Sequence, residues 1–188
     1  MRYTLRLLTL QQFQRAATLI CATEQLRRDA VLDQGSGGEI NPWGDEPFRI
    51  GLWVGSKVTT NWYDQAKEAL DAMRNKYAGA GASNPIQVLA CPWCGREIEP
   101  GQDAECDSAR RRVIVWCGDP DGLCPFSRKQ SAQWLEGIPV VTVDEEVFRL
   151  VPSLVIGTVD KVAQLPLRGQ TGLLFWRTRS SCARPGSL

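Results

Sequence analysis

The sequence contains no histidine. That absence removes the commonest general base, every imidazole-dependent serine or cysteine triad, and every mixed Cys/His metal site. A zinc site must therefore be built from cysteine alone, or from cysteine with carboxylate. A long hydrophobic run is also missing. The apolar residues after Arg2 and Arg6 are interrupted by Gln11, Gln12 and Gln14, unlike a secretory signal, and no later stretch approaches the ~20 apolar residues of a membrane helix. These features predict a cytoplasmic protein with no membrane partner. Charge of one sign is lacking too. The formal net charge is +1, so any nucleic-acid-binding surface must be local. Finally, there is no GxxxxGK[ST] phosphate loop. Its nearest approach, GLWVGSK at 51–57, has the wrong spacing and no Ser or Thr after Lys57.

What is present is the balance of an ordinary globular protein, with 43% hydrophobic and 23% charged residues in 188. That length suffices for one solid core and a small appended module. Residues 2–8 (RYTLRLL) are β-compatible. They lead into a predicted helix over 10–28, capped by Thr9, with Leu10, Phe13, Ala17, Ile20 and Cys21 near helical spacing and Arg27 and Arg28 near its end. Asp29 to Pro47, containing GSGG and NPWG, reads as a loop, and Phe48 to Val54 as a strand. A second helix runs from a Thr59 or Thr60 cap to about Tyr77. The GAGAS segment (79–83) reads as a flexible junction.

Further strands are predicted at Val113 to Trp116, Ile138 to Val143 and Leu154 to Val159. Helical segments are predicted around Arg128 to Leu135, Asp144 to Leu150 and from Asp160 to Leu165. Strands alternating with helices imply a parallel α/β sheet, interrupted by a cysteine-rich module. Arg177 onward (RTRSSCARPGSL) shows no periodicity and is predicted to be disordered.

Seven cysteines without a secretion signal read as thiols or metal ligands, not disulfides. Five of them fall within 86–127. CPWCG places Cys91 and Cys94 on a tight Cys-x2-Cys turn, and WCGDPDGLCPF supplies Cys117 and Cys124 on a second turn rich in Gly, Pro and Asp. Four thiolates close a tetrahedron with no open position, which predicts a structural zinc site. The six-residue gap between Cys117 and Cys124 exceeds a usual knuckle, so Cys106 remains a rival for either position. Cys21 fits a helix's apolar face as a core thiol, and Cys182 lies in the tail. A thiol oxidoreductase using Cys91 and Cys94 is a weaker reading, because the strand–CxxC–helix context is absent.

IPVVTVDEEV (138–147) has the look of a Walker B strand, with Asp144 for magnesium and Glu145 for water. The plainer reading makes Asp144, Glu145 and Glu146 the acidic first turn of a helix, favoured by its dipole. Arg110 to Arg112 reads as a solvated strand approach, or else as a backbone contact to duplex nucleic acid. Trp93 and Trp116 read as packing the small module in preference to stacking on bases.

Residues 2–17 (RYTLRLLTLQQFQRAA) and 152–165 (PSLVIGTVDKVAQL) resemble segments of superfamily 2 helicases, in particular the large helicase subunit of the DISARM antiphage defence system. The resemblance spans roughly 2–175 and includes GLWVG (51–55), the cysteine insertion and PVVTVDEEVFR. It implies a partial RecA-like sheet of the P-loop NTPase type. Residues 1–85 would carry the motif Ia region, 86–127 a zinc-binding insertion, and 128–175 the motif Ib region, with 176–188 a disordered tail. The family's Walker A would lie before this segment and its DExH motif after it, so a truncated reading frame, inactive alone, is the expectation. ATP and Mg2+ would belong only to the full-length parent. The resemblance, with the habit of such turns to present hydroxyls and basic groups to phosphates, points to Arg6, Thr9, Gln12, Thr158 and Lys161 as nucleic-acid contacts. Thr158 reads equally as an ordinary helix cap. The implied partners are DNA and the remaining helicase lobes or defence-system subunits. The alternative from a different class is a stand-alone zinc-ribbon adaptor without catalysis.

Overall fold

The computed structural model describes residues 2–35, 42–55, 58–75 and 84–164. Helix α1 runs unbroken from Arg2 to Gly35, which corrects the predicted short strand at 2–8 and the Thr9 cap. No Gly or Pro occurs between 2 and 34, and the segment is dense in Leu, Arg, Gln and Ala, all good helix formers. The scattered β-branched residues inside that run, Thr9 among them, do not stop it. Helix α1 buries Phe13, Ala17, Ile20 and Cys21.

Strand β1 (Ile50–Trp53) is the centre of a three-stranded parallel sheet in the order β4-β1-β5, with β4 at Val140–Val141 and β5 at Leu154–Gly157. Ile50 pairs with Val140 on one side and with Leu154 on the other. The predicted parallel α/β sheet is therefore present, although the strand expected over Ile138 to Val143 narrows to two residues. Every residue of β1 is buried, as expected of a parallel strand covered on both faces.

On one face Ile50 and Leu52 join a core with α1 and with α2 (Tyr63–Arg74), whose Tyr63, Ala66 and Leu70 point inward. On the other face lies α5 (Asp144–Leu150), where Val147 and Leu150 pack with Val141 and Val155. Trp53 meets Phe148 edge-on at 5.3 Å and 83°. Gly51 lets Pro152 lie close against β1, because a Cβ there would stand 3.0 Å from the Pro152 ring. Helix α2 begins after Trp62, not at the predicted Thr59 or Thr60 cap, and both threonines are buried.

The cysteine-rich segment adds a short helix α3 (Pro100–Asp103) and an antiparallel pair, β2 (Ala104–Asp107) with β3 (Arg112–Val115). It continues through α4 (Arg128–Ser131) and a 3-10 turn at Ala132–Trp134. This segment does not carry a core of its own. Ile98, Val113, Val115, Phe126 and three of the cysteines belong to the same apolar cluster as α1 and β1.

The join is close at Gly137, where the Ile138 amide donates to the Val115 carbonyl at 2.7 Å. A Cβ on Gly137 would fall 2.1 Å from that carbonyl oxygen. The last described element is α6 (Val159–Val162). The GAGAS junction and the predicted disordered tail lie outside the described residues. Among the described residues no helix is long and apolar enough to cross a membrane.

Candidate metal centre

Two turns build the cysteine cluster. In the first, the Cys91 amide donates to the Arg96 carbonyl at 2.7 Å, and the Gly95 amide returns to the Cys91 carbonyl at 2.8 Å. Gly95 has φ +77°, a left-handed conformation that a side chain disfavours. Ala90 and Glu97 bridge the flanks of this loop. The second turn leaves β3 at Cys117, whose amide donates to the Phe126 carbonyl at 2.8 Å.

Asp119 holds the second turn shut. Its Oδ2 accepts from the amides of Leu123 and Cys124 at 2.7 and 2.8 Å. The Cys124 and other backbone amides hold this carboxyl below its ordinary range, with Arg96 assisting 3.8 Å away on the first turn. Sequence reasoning missed Asp119, although the Asp-Pro-Asp-Gly string was its signal. That Asp-anchored turn accommodates the long spacing between Cys117 and Cys124.

The four sulfurs of Cys91, Cys94, Cys117 and Cys124 all lie within 4.8 Å of one another. Cys91 and Cys124 are 3.8 Å apart and Cys94 and Cys117 are 3.4 Å apart, far beyond the about 2.05 Å of a disulfide. A Zn–S bond of about 2.3 Å puts the corners of a tetrahedron about 3.8 Å apart, so this spacing fits a bound ion.

The electrostatics lean the same way. Burial, reinforced by the neighbouring sulfurs, pushes the Cys124 thiol up to about 12 and that of Cys117 higher still. Cys94 moves down, because the Arg96 amide and the other cysteines outweigh its slight burial. Four crowded sulfurs become thiolates together only with a cation among them. The cluster can thus hold a metal ion such as zinc. The rival Cys106 stands on β2 outside the cluster, half-buried beside the core. Cys21 is a core thiol whose burial raises it far above its usual range.

The two tryptophans divide. Trp116 is buried beneath Arg128, while Trp93 meets Phe126 edge-on at 5.9 Å and remains 44% exposed. The arginine run is not a solvated approach. Arg112 is 2% exposed and forms a two-pronged bond to Glu136, each arm 2.7 Å. Arg111 spans Asp64 and Glu145, and Arg110 reaches Asp107. Single-residue charge counting could not reveal this, because Glu136 lies 24 positions away.

The residues singled out for nucleic acid do not form one cluster of free groups. Arg6 and Thr9 lie within α1 and not on a strand-to-helix turn, and Arg6 is described in backbone only. Gln12 is exposed on the same helix, and Thr9 is half-buried. Thr158 occupies the cap position of α6 without a side-chain cap bond. Lys161 is 8% exposed, with Nζ 2.7 Å from Asp144 Oδ2 and 5.7 Å from the Trp53 ring. Trp53 Nε1 donates to the same Asp144 oxygen at 3.2 Å. Glu145 accepts from the Tyr63 amide and pairs with Arg111. Asp144, Glu145 and Glu146 form the acidic first turn of α5, as the plainer reading expected, and the first two are further held by Lys161 and Arg111.

No protein-family model matches the chain. Over a 194-residue alignment covering 99% of its length, however, it is 34% identical to DISARM protein DrmA of Bacillus paralicheniformis. The chain is related to that protein. It spans 15% of the length of DrmA, so the comparison concerns one segment of a much larger polypeptide.

Proposed function

We propose that the chain is a segment of a DISARM-type defence protein in which four cysteines staple a piece of an ATP-dependent helicase or translocase lobe with zinc. The observation that carries this reading is the 34% identity to DrmA over 99% of the chain. The parallel order β4-β1-β5, with helices on both faces, supports a RecA-like lobe. In this reading residues 1–85 and 128–175 belong to the lobe, 86–127 to its zinc-binding part and 176–188 to a tail. ATP and Mg2+ act elsewhere in the parent, since a GxxxxGK[ST] loop is absent from this sequence.

Zinc here is structural. Cys91, Cys94, Cys117 and Cys124 fill a tetrahedron and leave no site for substrate. Three of them sit in the main core, so the ion ties that core to both turns. DNA contact falls to Arg6, Thr9, Gln12, Thr158 and Lys161. For Lys161 the contact requires its pair with Asp144 to open. Defence-system subunits or other lobes of the parent are the protein partners.

Elemental analysis of the purified chain tests the reading, with about one zinc per chain expected. A metal-free, fully folded chain overturns the zinc site. A gel-shift titration at low salt tests the second half, with affinity falling as salt rises. No ATP hydrolysis above background is expected from this segment.

A further inference from the structure

The four sulfurs are not equivalent. Cys91, Cys117 and Cys124 are 2%, 4% and 5% exposed, whereas Cys94 is open to solvent. A cleft of about 600 Å3 leads to it, walled by Trp93, Arg96, Asp119 and Leu123 and reaching Cys94 and Cys124. Leu123 is 80% exposed on the rim. The nearest sulfur hydrogen-bonded to Cys94 is that of Cys117, at 3.4 Å and on the opposite turn. A small oxidant can therefore reach one ligand first, and that ligand has a partner within about 1.4 Å of disulfide distance.

Resting on the zinc reading, we propose that this centre is a peroxide-sensitive site in which Cys94 is oxidised first and Cys117 closes the disulfide. The Cys94 thiolate attacks a peroxide oxygen, the O–O bond breaks, and one proton converts the departing hydroxide to water. This leaves a sulfenic acid on Cys94. The Cys117 thiolate then attacks that sulfur, an S–S bond forms, and the S–OH oxygen leaves with a second proton as water. In sum, two thiolates, one hydrogen peroxide and two protons give one disulfide and two waters. Each sulfur gives up one electron and the peroxide gains two. A disulfide is no longer a thiolate pair, so only Cys91 and Cys124 remain and zinc leaves.

The site would thus convert oxidation into loss of the link between its two turns. Cys117 lies two residues past the end of β3, and its amide is bonded to the Phe126 carbonyl, so the new bond pulls on the core itself. Cys91 and Cys124, at 3.8 Å and buried, would pair later if at all.

The test uses the full zinc-loaded chain carrying Cys106→Ser and Cys182→Ser, so that every peroxide-reactive thiol outside the cluster except buried Cys21 is removed. Hydrogen peroxide is added, zinc release is followed with a metallochromic dye, and disulfides are mapped by non-reducing peptide mass spectrometry. The expected result is release of about one zinc per chain together with a Cys94–Cys117 linkage ahead of any Cys91–Cys124 linkage. Dithiothreitol with added zinc should reverse both. Zinc retained at millimolar peroxide, or Cys91–Cys124 forming first, overturns the inference while leaving the zinc site standing. A chain that binds no zinc from the outset overturns both.

Discussion

Arg112 and Glu136 meet through two parallel bonds of 2.7 Å, both residues 2% exposed, at the seam between the cysteine-rich segment and the sheet. Arg49, just before β1, adds two more bonds to the same carboxylate at 2.7 and 3.0 Å. From α1, Arg28 donates to the Glu136 carbonyl at 3.2 Å and to Ser131 Oγ at 2.8 Å. Glu24 holds Arg27 and Arg28 and caps the Phe48 amide. The network thus joins α1, β1 and β3 through groups that are fully desolvated.

Replacing Glu136 with alanine strands two guanidinium groups in the interior. Breaking a buried pair from one side costs about 3–5 kcal/mol. Glu136→Ala should therefore lower the urea midpoint strongly, and Glu136→Gln by less. Arg112→Met together with Glu136→Leu should recover part of the loss, because it leaves one stranded guanidinium, that of Arg49, in place of two. A midpoint unchanged in Glu136→Ala would show that the network adds nothing to stability.

Glu146 gives the network a pH dependence. Burial outweighs the attraction of Arg112 and pushes its carboxyl up to about 7. The folded state then prefers the protonated form. This contribution is full below the unfolded value near 4.5 and is lost as pH rises through about 7. Glu136 runs the other way. Despite burial, Arg112 and Arg49 hold its carboxyl well below the carboxylate range, so its contribution is present above about 4.5 and fades in stronger acid. The thermal midpoint of Glu146→Gln, measured against the parent chain, should improve from pH 5 to pH 8. Parallel curves over that range would refute the assignment.

Gly137 is a second seam. The 2.1 Å approach of a would-be Cβ to the Val115 carbonyl involves backbone on both sides, which cannot swing away. Gly137→Ala should cost about 3 kcal/mol or more, the upper end of overpacking penalties. Gly44, which has nothing within 4 Å of its Cβ position, provides the control. Its φ of +76° alone should make Gly44→Ala cost about 1 kcal/mol. Equal losses at the two glycines would mean that the 2.1 Å approach does not govern.

Among the metal-centre variants, Cys91→Ser, Cys117→Ser and Cys124→Ser should each lose bound zinc and lower stability together, while Cys106→Ser should keep its zinc. A chelator should bring the parent chain to the midpoint of those variants. Zinc content unaffected by Cys117→Ser but lost in Cys106→Ser would reinstate the rival ligand.

The cysteine set was legible because Cys-x2-Cys followed by glycine fixes a turn whatever surrounds it. The parallel sheet was legible from its apolar runs and the intervening helices. The N-terminal helix was misjudged because seven residues of Arg, Tyr, Thr and Leu suit strand or helix alike. Their state is decided by the helix-forming run that follows. The arginine run misled for a different reason. A charge is read as solvated unless its partner is known, and the partners of Arg112, Glu136 and Glu146, come from elements folded against it. Thr59 and Thr60 had the chemistry of caps, but burial claimed them first.

Lys161 offers the sharpest test of DNA contact. Its ammonium is held by Asp144 at 2.7 Å, so a phosphate must compete with a buried carboxylate. If it does, Asp144→Asn weakens that hold and should raise DNA affinity at low salt severalfold, and Lys161→Met should lower it. The slope of log affinity against log salt should become shallower by about one unit in Lys161→Met, as expected for one lost phosphate contact. If the lysine only anchors α6 to the start of α5, both variants should destabilise the chain and leave the salt slope unchanged. Circular dichroism at the binding temperature separates lost contact from lost folding.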